Sequence, residues 1–164
     1  MGMDVHGINP KMNKSIDNYK TYEKWNKIDW KDRDGKYNKE WEKEKDTFYS
    51  EMDKREKDNR GIYFRNSCWW WRPLWDYCRH VAPHLISEEL WESGHHNDGK
   101  GLNAKDAKEL GEILMENIAN GSAIQYEKDY NDMYEGEEYH YPYDVENVEN
   151  FALFCIESGG FEIC

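Results

Sequence analysis

The stretch "SCWWWRPLWDY", residues 67–77, holds four tryptophans, an arginine and a proline within eleven residues. Large aromatic rings dominate the cores of small domains, and tryptophan is the largest of them. Successive residues on a helix or a strand point in different directions, so Trp69, Trp70 and Trp71 cannot all face one core. We therefore expect some of these rings to build the core and at least one to reach the surface or line a pocket beside Arg72.

The residues around this stretch predict a helix with one apolar face. Because Pro73 is tolerated best in the first turn of a helix, the predicted helix covers residues 73–82 and ends before Pro83. Its predicted core face has helical spacing and comprises Leu74, Tyr77, Cys78 and Val81. Trp75 is expected at the edge of this face.

Short strands and helices with N-caps are predicted before and after this helix. Strands are predicted over residues 1–9, with Met3, Val5 and Ile8 facing inward, over residues 62–65, and at "FEIC", residues 161–164. Helix N-caps are predicted at Ser87, Asn103 and Asp144. Together these elements predict an α+β fold: a small sheet that includes the N- and C-terminal strands, packed with about four helices mainly on one face.

Residues 10–60 differ in composition from the rest of the chain, because they are highly charged and nearly balanced in sign, with 15 Lys/Arg and 13 Asp/Glu residues. A turn is expected near Gly35, followed by a polar helix from Tyr37 to about Asp58. The apolar residues of that helix form one narrow stripe, comprising Trp41, Phe48 and Met52. The sequence thus predicts a single domain over residues 1–164 that carries residues 10–60 as a charged, mainly helical elaboration.

The composition excludes several classes of protein. The net charge is −12, and outside residues 10–60 it is −14, from 7 basic and 21 acidic residues. Such an acidic body repels the phosphate backbone, so direct nucleic-acid binding is not expected. No apolar run approaches the roughly 20 residues of a membrane span, and the start "MGMDVHGINP" lacks the features of a signal peptide. We expect a cytoplasmic protein whose four cysteines, none of them in a CxxC pair, are reduced thiols.

Five motifs frame the chain outside residues 10–60. They are "MGMDV-x-G" at the start, "YFRN" leading to "WWWRPLWDYC", "HHNDGKGL", "YPYDVENV" and the final "SGGFEIC". Together they resemble a family of small proteins encoded by bacteriophages and prophages. The resemblance implies a phage origin and favours a role in counter-defence or host takeover. Some relatives insert a zinc module before the final helix, but this chain has "YEGEEYHYPY" there, so we expect no metal and no cofactor.

Three arginines outside residues 10–60 form the local basic cluster of the acidic body: Arg65, Arg72 and Arg79. Guanidinium groups bind phosphates through paired hydrogen bonds, and indole faces stack on nucleobases. The cluster and Trp69, Trp70 and Trp71 are therefore candidate ligand-binding residues for a small anionic, nucleotide-like molecule. The alternative is structural, with the arginines paired to carboxylates and the tryptophans closing the core.

The loop "HHNDGKG", residues 95–101, is a second candidate part of the site. Backbone N–H groups beside glycines can cradle phosphate, although the Walker, GxGxxG and EF-hand patterns are absent. The candidate ligand-binding residues here are His95, His96, Asn97, Asp98 and Lys100. Two alternatives stay open: a plain connecting loop, or a zinc or nickel site formed with His80 and His84.

The function that these patterns predict best is sequestration without catalysis. The protein is expected to be a phage counter-defence protein in the host bacterial cytosol that binds a small nucleotide-like immune signal. One alternative is an acidic decoy that imitates nucleic acid and inhibits a host nuclease or defence protein. Another is a small hydrolase or metal enzyme that uses His95, His96 and Asp98. A homodimer with the ligand between protomers also stays open.

Overall fold

The structure is a computed structural model that describes residues 2–33, 38–138 and 140–164. The predicted turn near Gly35 and the predicted helix start at Tyr37 lie outside the described residues, as do Met1 and Tyr139. The chain divides into two compact units. The main unit combines Met1–Lys11 with Arg60–Cys164, and the inserted unit is Met12–Asn59.

Within the described residues the secondary structure comprises eight α-helices, one short 3₁₀ helix at Ile16–Asn18, and four strands. In chain order the α-helices and strands are β1 Gly2–Gly7, α1 Lys20–Asn26, α2 Trp30–Arg33, α3 Lys39–Asp58, β2 Tyr63–Ser67, α4 Cys68–Val81, α5 Glu88–Ser93, β3 Gly101–Leu102, α6 Ala104–Ala119, α7 Ser122–Met133, α8 Val145–Glu157 and β4 Phe161–Ile163. The predicted N-caps are confirmed, because side-chain oxygens of Ser87, Asn103 and Asp144 accept hydrogen bonds from the first-turn N–H groups of α5, α6 and α8.

The sheet of the main unit has the strand order β2-β1-β4-β3, and every neighbouring pair is antiparallel. The first and last strands are therefore adjacent, with Val5 opposite Ile163. This arrangement confirms the predicted α+β fold with a sheet that includes both terminal strands. Met3 and Val5 are buried as predicted, but Ile8 is 58% exposed because it lies beyond the end of β1. The prediction that Ile8 faces inward was wrong.

Helix α4 begins at Cys68, so the predicted start at Pro73 was wrong. The buried face begins earlier than the proline rule suggests, and it comprises Trp71, Leu74, Trp75 and Cys78, spaced i, i+3, i+4 and i+7. Burial of this face outweighs the backbone hydrogen bond that Pro73 cannot donate. Trp75 is fully buried rather than at the edge of the face.

Helices α6 and α8 pack closely beside the sheet. A Cβ added at Gly111 of α6 would lie 2.7 Å from the carbonyl oxygen of Ala152 in α8, so only glycine fits at this crossing. The core also holds Cys78 and Cys155, and all four cysteines are free thiols. Burial raises the pKa of both core thiols, which therefore stay protonated and unreactive.

The inserted unit has a small core of its own, made by α1 and α3. The ring of Trp41 meets Trp25 at 5.4 Å and Phe48 at 5.2 Å, both edge-on. Glu44 accepts hydrogen bonds from Trp25 Nε1 at 2.6 Å and from Lys24 Nζ at 2.8 Å. The inserted unit carries 13 basic and 13 acidic residues, so the net charge of −12 lies entirely on the main unit.

Candidate functional site

Two open clefts adjoin α5 of the main unit and share three lining residues, Trp91, His95 and His96. The first, which we call the Arg72 cleft, has a volume of about 540 Å³ and is lined by Arg72, Asp76, Trp91, His95, His96 and Tyr141. The second, the Lys100 cleft, has a volume of about 610 Å³ and is lined by Glu89, Trp91, Glu92, Ser93, His95, His96, Asp98 and Lys100. Of the sequence-predicted site residues, these clefts bring together Arg72, His95, His96, Asp98 and Lys100.

Helix α4 presents Arg72, Asp76 and Arg79 at positions i, i+4 and i+7, on a face that flanks its buried stripe. The guanidinium carbon of Arg72 lies 5.0 Å from the centroid of the Tyr141 ring, and its Nη1 donates a hydrogen bond to the Tyr141 hydroxyl. None of the ion pairs among the described residues involves Arg72. Arg72 is thus an exposed cation whose positive charge is not neutralised by a described carboxylate.

Asp76 and Trp91 hold the opposite side of the Arg72 cleft in place. Trp91 Nε1 donates to Asp76 Oδ1 at 2.7 Å, and His95 Nε2 lies 3.8 Å from the same oxygen. The Arg79 guanidinium carbon lies 4.7 Å from the Trp91 ring centroid. Burial alone would raise the pKa of Asp76, but the contacts with His95 and Trp91 and the charge of Arg79 outweigh it and lower that pKa. The carboxylate therefore stays ionised and orients the ring of Trp91.

His95 and Asn97 act mainly within the protein. With Nε2 facing Asp76, the Nδ1 atom of His95 is buried and has no hydrogen-bond partner among the described residues. Asn97 has a left-handed backbone, φ 51°, and its Nδ2 donates to the carbonyl oxygen of Gly2 at 3.1 Å. Asn97 thereby ties the loop to β1.

The Lys100 cleft is less suited to an anion than the sequence predicted. Lys100 Nζ lies 2.8 Å from Glu89 Oε1, and this hydrogen bond raises the pKa of Lys100 and lowers that of Glu89. Asp98 Oδ1 accepts from Ser93 Oγ and, at 3.1 Å, from the backbone N–H of Lys100. An anion could therefore bind Lys100 only by displacing Glu89, in a cleft that three carboxylates line.

The other predicted residues lie apart from both clefts. Trp71 is fully buried and donates from Nε1 to the Gly94 carbonyl at 2.8 Å. Trp69 and Trp70 are 47% and 40% exposed. They line two further clefts, one each, and neither of these is the Arg72 cleft or the Lys100 cleft. Arg65, on β2, pairs with Asp4 at 3.4 Å. The structural alternative, in which arginines pair with carboxylates and tryptophans close the core, therefore applies to Arg65 and Trp71 but not to Arg72.

The histidines of the alternative metal site have separate neighbours. His84 Nε2 lies 3.0 Å from Glu109 Oε1, and the ring of His80 lies 5.5 Å from that of Tyr126. Among residues 2–33, 38–138 and 140–164, no group of three or more His, Cys, Asp or Glu side chains could hold a metal ion.

Sequence reasoning missed Asp76, Trp91 and Tyr141 in the Arg72 cleft. The spacing of Arg72, Asp76 and Arg79 was a usable signal, but placing the helix start at Pro73 separated Arg72 from the others. Tyr141 gives no such signal, because it reaches α4 from a segment 69 residues further along the chain.

Comparisons with protein-family models, with curated proteins and with solved structures found no match. Across the part of the chain that the structure describes, no helix combines the length and apolar character needed to cross a membrane.

Proposed function

We propose that this protein binds and sequesters a small anionic, nucleotide-like molecule in the Arg72 cleft, without catalysis. One observation carries the proposal: Arg72 is an exposed guanidinium with no ion pair among the described residues, placed in a cleft with two aromatic rings. The cleft volume of about 540 Å³ lies within the range of small-ligand pockets, about 300–1,000 Å³.

The charges of the cleft orient such a ligand. Arg72 binds a phosphate through paired N–H groups, and the exposed His96 lines the same cleft. The ionised carboxylate of Asp76 disfavours a phosphate beside Trp91. The phosphate therefore lies toward Arg72 and Tyr141, and the base stacks on the Trp91 ring.

The proposed role is phage counter-defence in the host bacterial cytosol, with a nucleotide immune signal as the sequestered ligand. Support comes from the resemblance of the framing motifs to proteins encoded by phages and prophages. Sequestration requires a binding site but no reacting group.

Replacing Arg72 with alanine tests this proposal. Calorimetric titration of the full chain with a panel of mononucleotides, dinucleotides and cyclic nucleotides should show saturable binding of at least one ligand. The dissociation constant of that ligand is expected to rise at least about tenfold in Arg72→Ala, because a hydrogen-bonded charge pair is lost.

The matched control is Arg65→Ala, which removes an exposed arginine that is paired with Asp4 and lies on β2. Its affinity should equal that of the wild type. Equal affinity in Arg72→Ala, or a panel without any ligand, would contradict the proposal.

The distribution of charge favours a second candidate function, an acidic protein that occupies the basic nucleic-acid groove of a host nuclease. The entire net charge of −12 lies on the main unit, whereas the inserted unit is neutral. An acidic surface of this kind attracts basic grooves, and such association is screened by salt.

The decoy function predicts that the protein competes with double-stranded DNA for a host nuclease. Its affinity for the nuclease should fall at least about tenfold between about 50 and 200 mM salt. The pair Glu112→Gln and Glu116→Gln, exposed on α6, should weaken the competition. The matched pair Glu40→Gln and Glu42→Gln, exposed in the inserted unit, should not. Competition that is insensitive to salt and to both pairs would exclude this candidate.

A further inference from the structure

A third cleft of the main unit is lined entirely by aromatic rings. It has a volume of about 380 Å³, and its lining comprises Trp69, Tyr130, Tyr134, His140 and Tyr141. These residues come from the first turn of α4, the end of α7 and the segment that leads into α8. We call this cleft the aromatic cage.

The rings of the cage are held by contacts with one another. Trp69 lies 4.8 Å from Tyr141, Tyr130 lies 4.9 Å from Tyr134, and His140 lies 5.6 Å from Tyr134, between ring centroids. The hydroxyl of Tyr130 donates to the carbonyl oxygen of Tyr141 at 2.8 Å, which joins α7 to the segment before α8. The cage is therefore preformed from three parts of the chain.

The electrostatics of the cage favour a cation. Aromatic faces carry negative potential and attract cations placed within about 6 Å of the ring centroid. Among the described residues, no Lys or Arg lines the cage, and the acidic residues Glu135, Glu137 and Glu138 follow Tyr134 and are exposed. Tyr141 already makes such a contact with Arg72, at 5.0 Å, from the neighbouring Arg72 cleft.

The chemistry of the lining selects among cations. A primary ammonium group is strongly hydrated and needs hydrogen-bond acceptors, which a surface of ring faces supplies poorly. A trimethylammonium group has no N–H donors and presents methyl groups to the rings. It therefore loses less on leaving water and gains both apolar contact and cation–π attraction.

We propose that the aromatic cage binds the trimethylammonium group of a small molecule. The volume of about 380 Å³ accommodates a ligand of the size of choline, at the lower end of the range for small-ligand pockets. This site adjoins the proposed anion site: Tyr141 lines both clefts, whereas Trp69, Tyr130, Tyr134 and His140 line only the cage.

The experiment compares choline with its uncharged isostere, in which a carbon atom replaces the nitrogen. The two probes have the same shape, so apolar contact alone gives equal affinity. Calorimetry on the full chain should show that choline binds about tenfold more tightly than the isostere. Equal affinity of the two probes, or no binding of choline, would overturn the proposal.

Two pairs of variants place the binding in the cage. Trp69→Leu should weaken choline binding about tenfold, whereas Trp70→Leu, which removes the adjacent and similarly exposed ring, should leave it unchanged. Tyr134→Leu should weaken binding and Tyr134→Phe should retain it, because phenylalanine keeps the ring. All three side chains are at least partly exposed, so thermal melting should show native folding of the four variants. Unchanged affinity in Trp69→Leu and Tyr134→Leu would overturn the proposal.

A third probe, a peptide with one trimethyl-lysine, distinguishes the source of the group. Tighter binding of this peptide than of choline would overturn the assignment to a small molecule. The nucleotide titration with Arg72→Ala is an independent experiment. If the proposal for one site fails its test, the proposal for the other site can still be tested.

Discussion

Replacing Trp71 with alanine is expected to lower the free energy of unfolding by about 3–5 kcal/mol. The Trp71 ring is fully buried, stacks on Trp75 at 5.3 Å and meets Phe151 edge-on at 5.5 Å. Alanine leaves a cavity among these rings and removes the donor to the Gly94 carbonyl. Urea unfolding followed by far-ultraviolet circular dichroism measures the change.

The adjacent tryptophans are the matched controls, because they differ from Trp71 in burial but not in residue type. Trp69→Ala and Trp70→Ala remove rings that are 47% and 40% exposed, and each should cost about 1 kcal/mol or less. If Trp71→Ala unfolded at the same urea concentration as Trp70→Ala, the assignment of Trp71 to the core would be wrong.

Deleting residues 161–164 is expected to unfold the main unit. These residues include β4, which lies between β1 and β3, and the side chains of Phe161 and Ile163 are fully buried. Losing both side chains costs roughly 5–10 kcal/mol, which is comparable to the total stability of a domain, about 5–15 kcal/mol. Circular dichroism and limited proteolysis of the deletion variant measure the loss of structure.

Point variants distinguish the loss of the buried side chains of β4 from the shortening of the chain. Phe161→Ala should lower the free energy of unfolding by about 3–5 kcal/mol. Glu162→Ala, between the two buried residues on the exposed face, should have little effect. A deletion variant that kept a cooperative unfolding transition would contradict this account of the sheet.

The fold was predictable where local patterns and tertiary packing agree. The short strands around Val5 and Ile163 could be predicted because each has apolar residues at alternate positions, and their pairing because chains that begin and end in short strands often pair them. The helix of Trp71 could not be placed correctly, because the local rule for Pro73 conflicts with burial that only the tertiary structure provides. Ile8 shows the same limit, since an apolar residue one position beyond a strand need not face the core.

The sequence predicted which residue types form the candidate site, but it did not predict the partner of each side chain. Arg65 and Arg72 are equivalent in the sequence, yet Arg65 lies beside Asp4 whereas Arg72 lies on the Tyr141 ring. Lys100 has a carboxylate partner, Glu89, contributed by α5. Which cation keeps a free charge depends on contacts between distant segments, and a single sequence does not determine those contacts.

The central claim, that Arg72 holds a nucleotide-like ligand, is tested most directly by native mass spectrometry. Wild type and Arg72→Ala are expressed in phage-infected bacteria, purified side by side, and weighed before and after denaturation. The account predicts a stoichiometric, phosphorus-containing nucleotide released from the wild type and none from the variant. An equal load on both proteins, or a wild type without any bound nucleotide, would contradict it.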